Sequence, residues 1–272
     1  MKSKKNIIIA ALVIIYIFAG PCLAGISVIG SLVHRKDVTP GENHKGTVTL
    51  FNKDDVPQEV RIYQTDYLCF ADGSNLYGEP GKLKRSNANW ITFSPRQIII
   101  PAQATITVNY TIKVPNGDDL IGTYWSMLMV EQVPDDSPLS SKGENARIDV
   151  GIRQIVRYGI QITTDISDTG ERKLNFTNTK LINDKQKRTL QLDIENVGQR
   201  LLRPFVWVEV YNSKGEYVGK FEAERKRIYP GSSVRYYSMD LTILEKGQYQ
   251  ALVVADCSDD FIFGTNHILN IL

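Results

Sequence analysis

Residues able to do covalent or metal chemistry are few in this chain of 272 residues, and they do not converge. His34, His44 and His267 stand far apart, and none lies at metal-ligand spacing to another histidine or to a cysteine. No Gly-x-Ser-x-Gly turn presents a serine nucleophile, no glycine-rich loop cradles phosphate, and no Cys-x-x-Cys pair supports redox work. Asp256, Asp259 and Asp260 surround Cys257, and carboxylates of this kind hold calcium elsewhere, but a turn rich in Asp accounts for them without an ion. The chain therefore reads as a non-enzyme, with no catalytic residue, metal, cofactor or small-molecule substrate. The chemistry it offers is non-covalent.

That chemistry lies in one long segment. Ile148, Val150, Ile152, Val156, Tyr158, Ile160 and Ile162 share a face interrupted only by Gln154, because successive side chains of an extended strand point to opposite sides. The other face holds Asp149, Arg153, Arg157 and Gln161 beside Gly151 and Gly159, with Ile155 as its one apolar member. At about fifteen residues the run is more than twice a usual strand. Part of it is expected to serve something beyond the core of its own domain.

The elements that must position this strand follow from the rest of the chain. Lys2, Lys4 and Lys5 precede the apolar stretch Ile7 to Phe18, and Cys22-Leu23-Ala24 before Gly25 is a small-residue cleavage site. This is the make-up of a secretory signal over residues 1–24, too short to span a bilayer as a helix of roughly 20 residues. Pro21 also stands where a lipoprotein anchor on Cys22 would want a small residue. Without those lysines the formal net charge of +2 becomes −1, so the mature chain has no basic field and implies neither nucleic acid nor anionic lipid as a partner. Export implies an oxidising compartment, yet the remaining cysteines, Cys69 and Cys257, fall in separate expected domains and are read as unpaired.

Strand-like segments then recur at short intervals. Gly46 to Asn52, Gln58 to Phe70, Trp90 to Phe93, Gln97 to Ile100, Ala104 to Val114 and Gly122 to Gln132 precede the long strand, with no stretch of helical period among them. Ile106, Val108, Tyr110, Ile112 and Val114 form one face of the fifth of these, and Met127 and Met129 lie in a strand apolar on both faces, as a buried central strand is. After Thr164 the pattern restarts through Lys173 to Ile182, Arg188 to Val197, Pro204 to Tyr211, Tyr217 to Glu224, Ser232 to Leu241, Tyr249 to Asp256 and His267 to Leu272. Asn212-Ser213-Lys214-Gly215 and Pro230-Gly231 are turns by composition. The fold class expected is all-β, two immunoglobulin-like β-sandwich domains in series over residues 25–163 and 164–272, joined at a fairly fixed angle by the short polar stretch Thr163 to Gly170.

Several segments of the first domain resemble periplasmic pilus-assembly chaperones, the PapD-like family. Trp90-Ile91-Thr92-Phe93-Ser94-Pro95 with Ile98 to Pro101 is similar to the middle of that family's first domain. Val114-Pro115-Asn116-Gly117-Asp118-Asp119, leading into Gly122-Thr123-Tyr124-Trp125, resembles its Leu-Pro-x-Asp stretch followed by an aromatic-Trp strand. Ile148 to Ile162 is similar to its long seventh strand, and Gly41 to Asn52 matches an early spacing. Lys36 falls where the family carries an arginine and Arg157 where it carries a lysine, while Gly122 and Thr123 occupy the region of a family acid. Arginine and lysine are not equivalent donors, so the chain is read as a divergent member.

The resemblance implies a periplasmic chaperone that caps an incomplete immunoglobulin-like pilus subunit by lending it a strand, then delivers it to an outer-membrane usher. Ile148, Val150 and Ile152 are the side chains expected to enter the subunit's groove. Lys36 and Arg157 are expected to bind the subunit's C-terminal carboxylate in the cleft between the domains. A self-capping dimer is one state compatible with an idle copy. The alternative is a non-catalytic structural or adhesive surface protein with no client.

Overall fold

A computed structural model of the chain describes residues 25–134, 155–184, 187–258 and 261–271. The expected signal segment and Ile148, Val150 and Ile152 lie outside the described residues.

The first domain is built from β1 (Ile26–Ile29), β2 (Val33–Val38), β3 (Asn43–Asn52), β4 (Gln58–Cys69), β5 (Asn75–Gly78), β6 (Ile91–Ser94), β7 (Gln97–Ile100), β8 (Thr105–Lys113), β9 (Gly122–Gln132) and β10 (Arg157–Ile166). One sheet runs β1-β3-β8-β6, and the facing sheet runs β2-β10-β9-β4-β5 with β7 also on β4. The chain changes sheets between β1 and β2, after which β2 pairs with β10 in parallel while β10 pairs with β9 antiparallel. This is the immunoglobulin-like arrangement of two packed sheets.

Alternation selects the core. In β8, Val108, Tyr110 and Ile112 are buried while Thr105, Thr107 and Asn109 face water. They meet Val48 and Leu50 of β3 and, across the sandwich, Ile62, Leu128, Val130, Ile160 and Ile162. Each such side chain contributes about 1.5–3 kcal/mol on leaving water. A one-residue slip of β10 would exchange Ile160 and Ile162 for Gly159, Gln161 and Thr163 in the core, so its register is strongly specified. β9 lies between β10 and β4 and is buried on both faces, including Met127 and Met129.

The second domain is built from β11 (Leu174–Asp184), β12 (Lys187–Asn196), β13 (Phe205–Asn212), β14 (Tyr217–Glu222), β15 (Ser233–Asp240), β16 (Gly247–Asp256) and β17 (Ile262–Ile271). Its sheets run β11-β12-β15 and β14-β13-β16-β17. Leu190, Leu192 and Ile194 pack against Val206, Val208, Val210, Ala251, Val253 and Ala255. The Asn212 side chain accepts the amides of Lys214 and Glu216 at 3.0 Å each, which closes the expected turn before β14. Cys69 and Cys257 are free thiols, and burial pushes that of Cys257 up to about 12.

The stretch read as a polar joint from Thr163 begins inside a strand. β10 does not stop at Thr163; it continues through Thr164, Asp165 and the buried Ile166. These polar residues look like a linker in sequence because they bury against protein rather than apolar core. Asp165, fully buried, accepts hydrogen bonds from the Arg35 guanidinium and the Thr123 hydroxyl. Thr123 in turn accepts the Leu201 amide at 2.8 Å, and its own amide donates to the Gln199 carbonyl at 2.8 Å. Trp125, Leu201 and Tyr229 form a small buried cluster spanning both domains, with the Trp125 and Tyr229 rings 4.8 Å apart. The Tyr229 hydroxyl donates to Gln161 Oε1 at 2.9 Å and lies 3.1 Å from the Thr163 hydroxyl. Gly122, at φ +73°, brings its Cα so close to the Gln199 carbonyl that an added Cβ would sit 2.1 Å from that oxygen. Strand and seam together hold the second domain against the C-terminal half of β10.

Candidate functional site

Among the described residues, the other half of β10 has a strand beside it only on the β9 side. β2 runs beside β10 only from Gln161 to Ile166, and the bond from the Gln161 amide to the Leu32 carbonyl at 2.8 Å lies at the first of these positions. Backbone groups of alternate residues point to the same side of a strand. The amides and carbonyls of Gly159 and Arg157 therefore face the side from which β2 has departed, with no strand along them among the described residues. The strand is still fixed there: Ile160 is in the core, and the Tyr158 hydroxyl donates to the Ile26 carbonyl at 3.0 Å. An ordered edge with no described strand along it is a template for another strand.

A charged cluster and a cleft flank this edge. Glu131 on β9 pairs with Arg157 at 3.1 Å and with Arg61 on β4 at 3.4 Å, and accepts the Tyr63 hydroxyl at 2.8 Å. Burial raises the Glu131 carboxyl, but the Tyr63 hydrogen bond and the two guanidiniums outweigh it and hold the group below the usual carboxylate range. Burial and the neighbouring Glu131 push the Tyr63 phenol up. Tyr63, Thr65, Tyr77, Met127, Met129 and Arg157 line a cleft of about 330 Å³ on this face. Two guanidiniums against one carboxylate leave the rim cationic, and the Arg157 side chain is 58% exposed.

The structure separates the two cations expected to act together. Lys36 is in register with Thr164, seven positions along β10 from Arg157, which at about 3.3 Å per residue is about 23 Å. They also lie on opposite faces, because Lys36 shares the parity of Thr164 and Arg157 that of Thr163. Lys36 and Arg157 therefore do not hold one carboxylate between them. The β2 cation on the face of Arg157 is Arg35, one residue from the position that ungapped spacing indicates, and it is already paired with Asp165. In a strand a shift of one residue changes the face.

Comparison with known proteins bears on the same chain. No family model and no curated protein matches it. Among solved structures, it is similar to fimbrial chaperones. The class 5 fimbriae chaperone CfaA is 15% identical, with 91% of this chain and 99% of that chain covered at a TM-score of 0.44. The CsuC-CsuE chaperone and tip adhesion subunit pre-assembly complex, from archaic chaperone-usher Csu pili of Acinetobacter baumannii, is 15% identical over 91% of this chain and 98% of that chain, with a TM-score of 0.46. The E. coli chaperone DraB is 13% identical over 91% and 96%, with a TM-score of 0.41.

Sequence reasoning did not find Glu131, Arg61 and Tyr63 around Arg157, nor Asp165 and Thr123 at the seam. Glu131 had a visible signal, as the one acid in the apolar run Gly122–Gln132. Arg61 and Tyr63 had a weaker one, because they alternate with the core residues Val60 and Ile62 and so share a face. Asp165 had none, since its partners lie on other strands. Among the described residues no group of His, Cys, Asp and Glu is placed to hold a metal ion.

Proposed function

We propose that this chain is an exported, periplasmic chaperone of pilus assembly that caps an incomplete immunoglobulin-like subunit by lending it the N-terminal part of its long strand, then passes the subunit to an outer-membrane usher. The observation that carries this reading is the departure of β2 at Gln161, after which no strand among the described residues runs beside the outer backbone groups of Arg157 and Gly159 on an otherwise ordered strand. The apolar alternation continues from that edge toward Ile152, Val150 and Ile148. A subunit strand laid along β10 would satisfy these backbone groups, and those three side chains would fill its groove. Burial of three such residues contributes about 4.5–9 kcal/mol, against about 1 kcal/mol net for each added hydrogen bond. Arg157 would receive a subunit carboxylate at the cationic rim, without Lys36.

Co-expression with a subunit-like protein encoded beside an usher gene tests this. The expected result is a soluble 1:1 complex, lost or weakened at least about a hundredfold by Val150→Asp, because a carboxylate buried in an apolar groove has no partner. A subunit equally soluble and protease-resistant without this chain would refute the reading.

A further inference from the structure

We propose that the outer edge of β17 is a self-association surface, on which a second copy of this chain docks strand against strand, antiparallel about Thr265. β17 closes one side of its sheet and pairs with β16 along Ile262–Ile271 without a bulge; no strand flanks its other side among the described residues. Sheet edges are normally protected by charge, proline, a bulge or brevity. The other edges of this domain have such protection: β14 carries Lys220 and Glu222, β15 carries Arg235 and Asp240, and β11 breaks register between Thr177 and Lys180. β17 has none of it. Over its 10 residues there is no Lys, Arg, Asp, Glu or Pro.

The phase of the ladder shows what this edge presents. The Cys257 amide donates to the Phe261 carbonyl at 2.9 Å, so the pairs Ala255–Phe263, Val253–Thr265 and Ala251–His267 are the hydrogen-bonded ones. The backbone groups of Ile262, Gly264, Asn266 and Ile268 consequently point away from β16. The side chains of the same residues lie on the outer face, where Ile262 is 65% and Ile268 is 67% exposed. His267 faces inward and its ring lies 3.1 Å from the Thr179 hydroxyl, leaving the edge without a titrating group.

The occupant is a second copy because the pattern is its own complement. With the two-fold axis at Thr265, Ile262 stands opposite Ile268 of the second copy and Gly264 opposite Asn266, all with backbone groups directed at each other. A centre at Asn266 would set Ile268 against Gly264 and Ile262 against Asn270, and a centre at Gly264 would leave Ile268 beyond the pairing. Only the Thr265 axis covers both exposed isoleucines with each other, twice over by symmetry, and no charge repels its own image.

Sedimentation velocity of the chain without residues 1–24, across about 1 to 100 µM, tests the proposal. The expected result is a dimer whose dissociation constant rises at least about tenfold in Ile268→Lys, with unchanged thermal unfolding of the monomer. In Thr265→Cys the two new thiols meet at a non-hydrogen-bonded pair, Cα atoms about 4.5 Å apart, and should give a disulfide-linked dimer on mild oxidation that the unsubstituted chain does not. A monomer over the whole range would overturn the proposal, as would a dimer insensitive to Ile268→Lys but abolished by Gly159→Pro on the β10 edge.

Discussion

Replacing Asp165 by Asn removes the charge that ties β2, β9 and the second domain to β10 while keeping the size of the side chain. Asp165 is fully buried and accepts from two donors, the Arg35 guanidinium and the Thr123 hydroxyl, and Thr123 carries the link onward to the Leu201 amide. Breaking a fully buried pair costs about 3–5 kcal/mol when the surviving charge is stranded. Here Arg35 is 46% exposed and regains water, so that limit does not apply. What is lost is charge assistance: hydrogen bonds to an ionised group contribute about 1.5–3 kcal/mol and neutral ones about 0.5–1.5, a difference of about 1 for each of two bonds. Asn can point its oxygen to Arg35 and its amide to Thr123, but the Thr123 hydroxyl then needs a new acceptor. The expected loss is therefore about 2 kcal/mol, read as a lower urea midpoint at unchanged slope. In a double-mutant cycle with Arg35→Met about half of that loss, the share of the Arg35 bond, should appear as coupling. Stability within about 0.5 kcal/mol of the parent, or no coupling to Arg35, would refute the assignment of Asp165 as the centre of the seam.

Gly122→Ala and Gly231→Ala form a matched pair for calorimetry. Both glycines have positive φ, +73° and +74°, but an added Cβ at Gly122 would meet the Gln199 carbonyl at 2.1 Å while nothing lies within 4 Å at Gly231. Gly231→Ala should cost about 1–2 kcal/mol from backbone strain alone, and Gly122→Ala clearly more because the two domains must part. Glu131 gives a pH dependence with a definite sign: its folded pKa lies below the unfolded one, so its contribution is full above the ordinary glutamate range and is lost as pH falls through the folded value. Urea midpoints of Glu131→Gln should converge on those of the parent between about pH 5 and pH 2.

Much of the fold was legible because alternation is a local signal. Val108, Tyr110 and Ile112, and Leu190, Leu192 and Ile194, turn inward as their period-two pattern requires, and the bounds of Gln97–Ile100 and Gly122–Gln132 coincide with strands. β5, four residues over Asn75–Gly78 on an exposed edge, has no buried face to generate a pattern. The end of β10 was obscured for the opposite reason, since Thr163, Thr164 and Asp165 are buried by polar contacts that sequence polarity disguises. For the site, the resemblance singled out Arg157 and Lys36 by position along the chain alone; which face each occupies comes only from the pairing of β2 with β10.

Amide hydrogen exchange, resolved by residue and measured on the chain alone and in complex with a co-expressed subunit, tests the central claim most directly. The Gln161 amide, bonded to the Leu32 carbonyl, should be protected in both states. The Gly159 and Arg157 amides should exchange rapidly in the free chain and become protected in the complex, as a strand is added along β10. Protection of Gly159 already in the monomeric free chain, or its continued rapid exchange in the complex, would contradict the account.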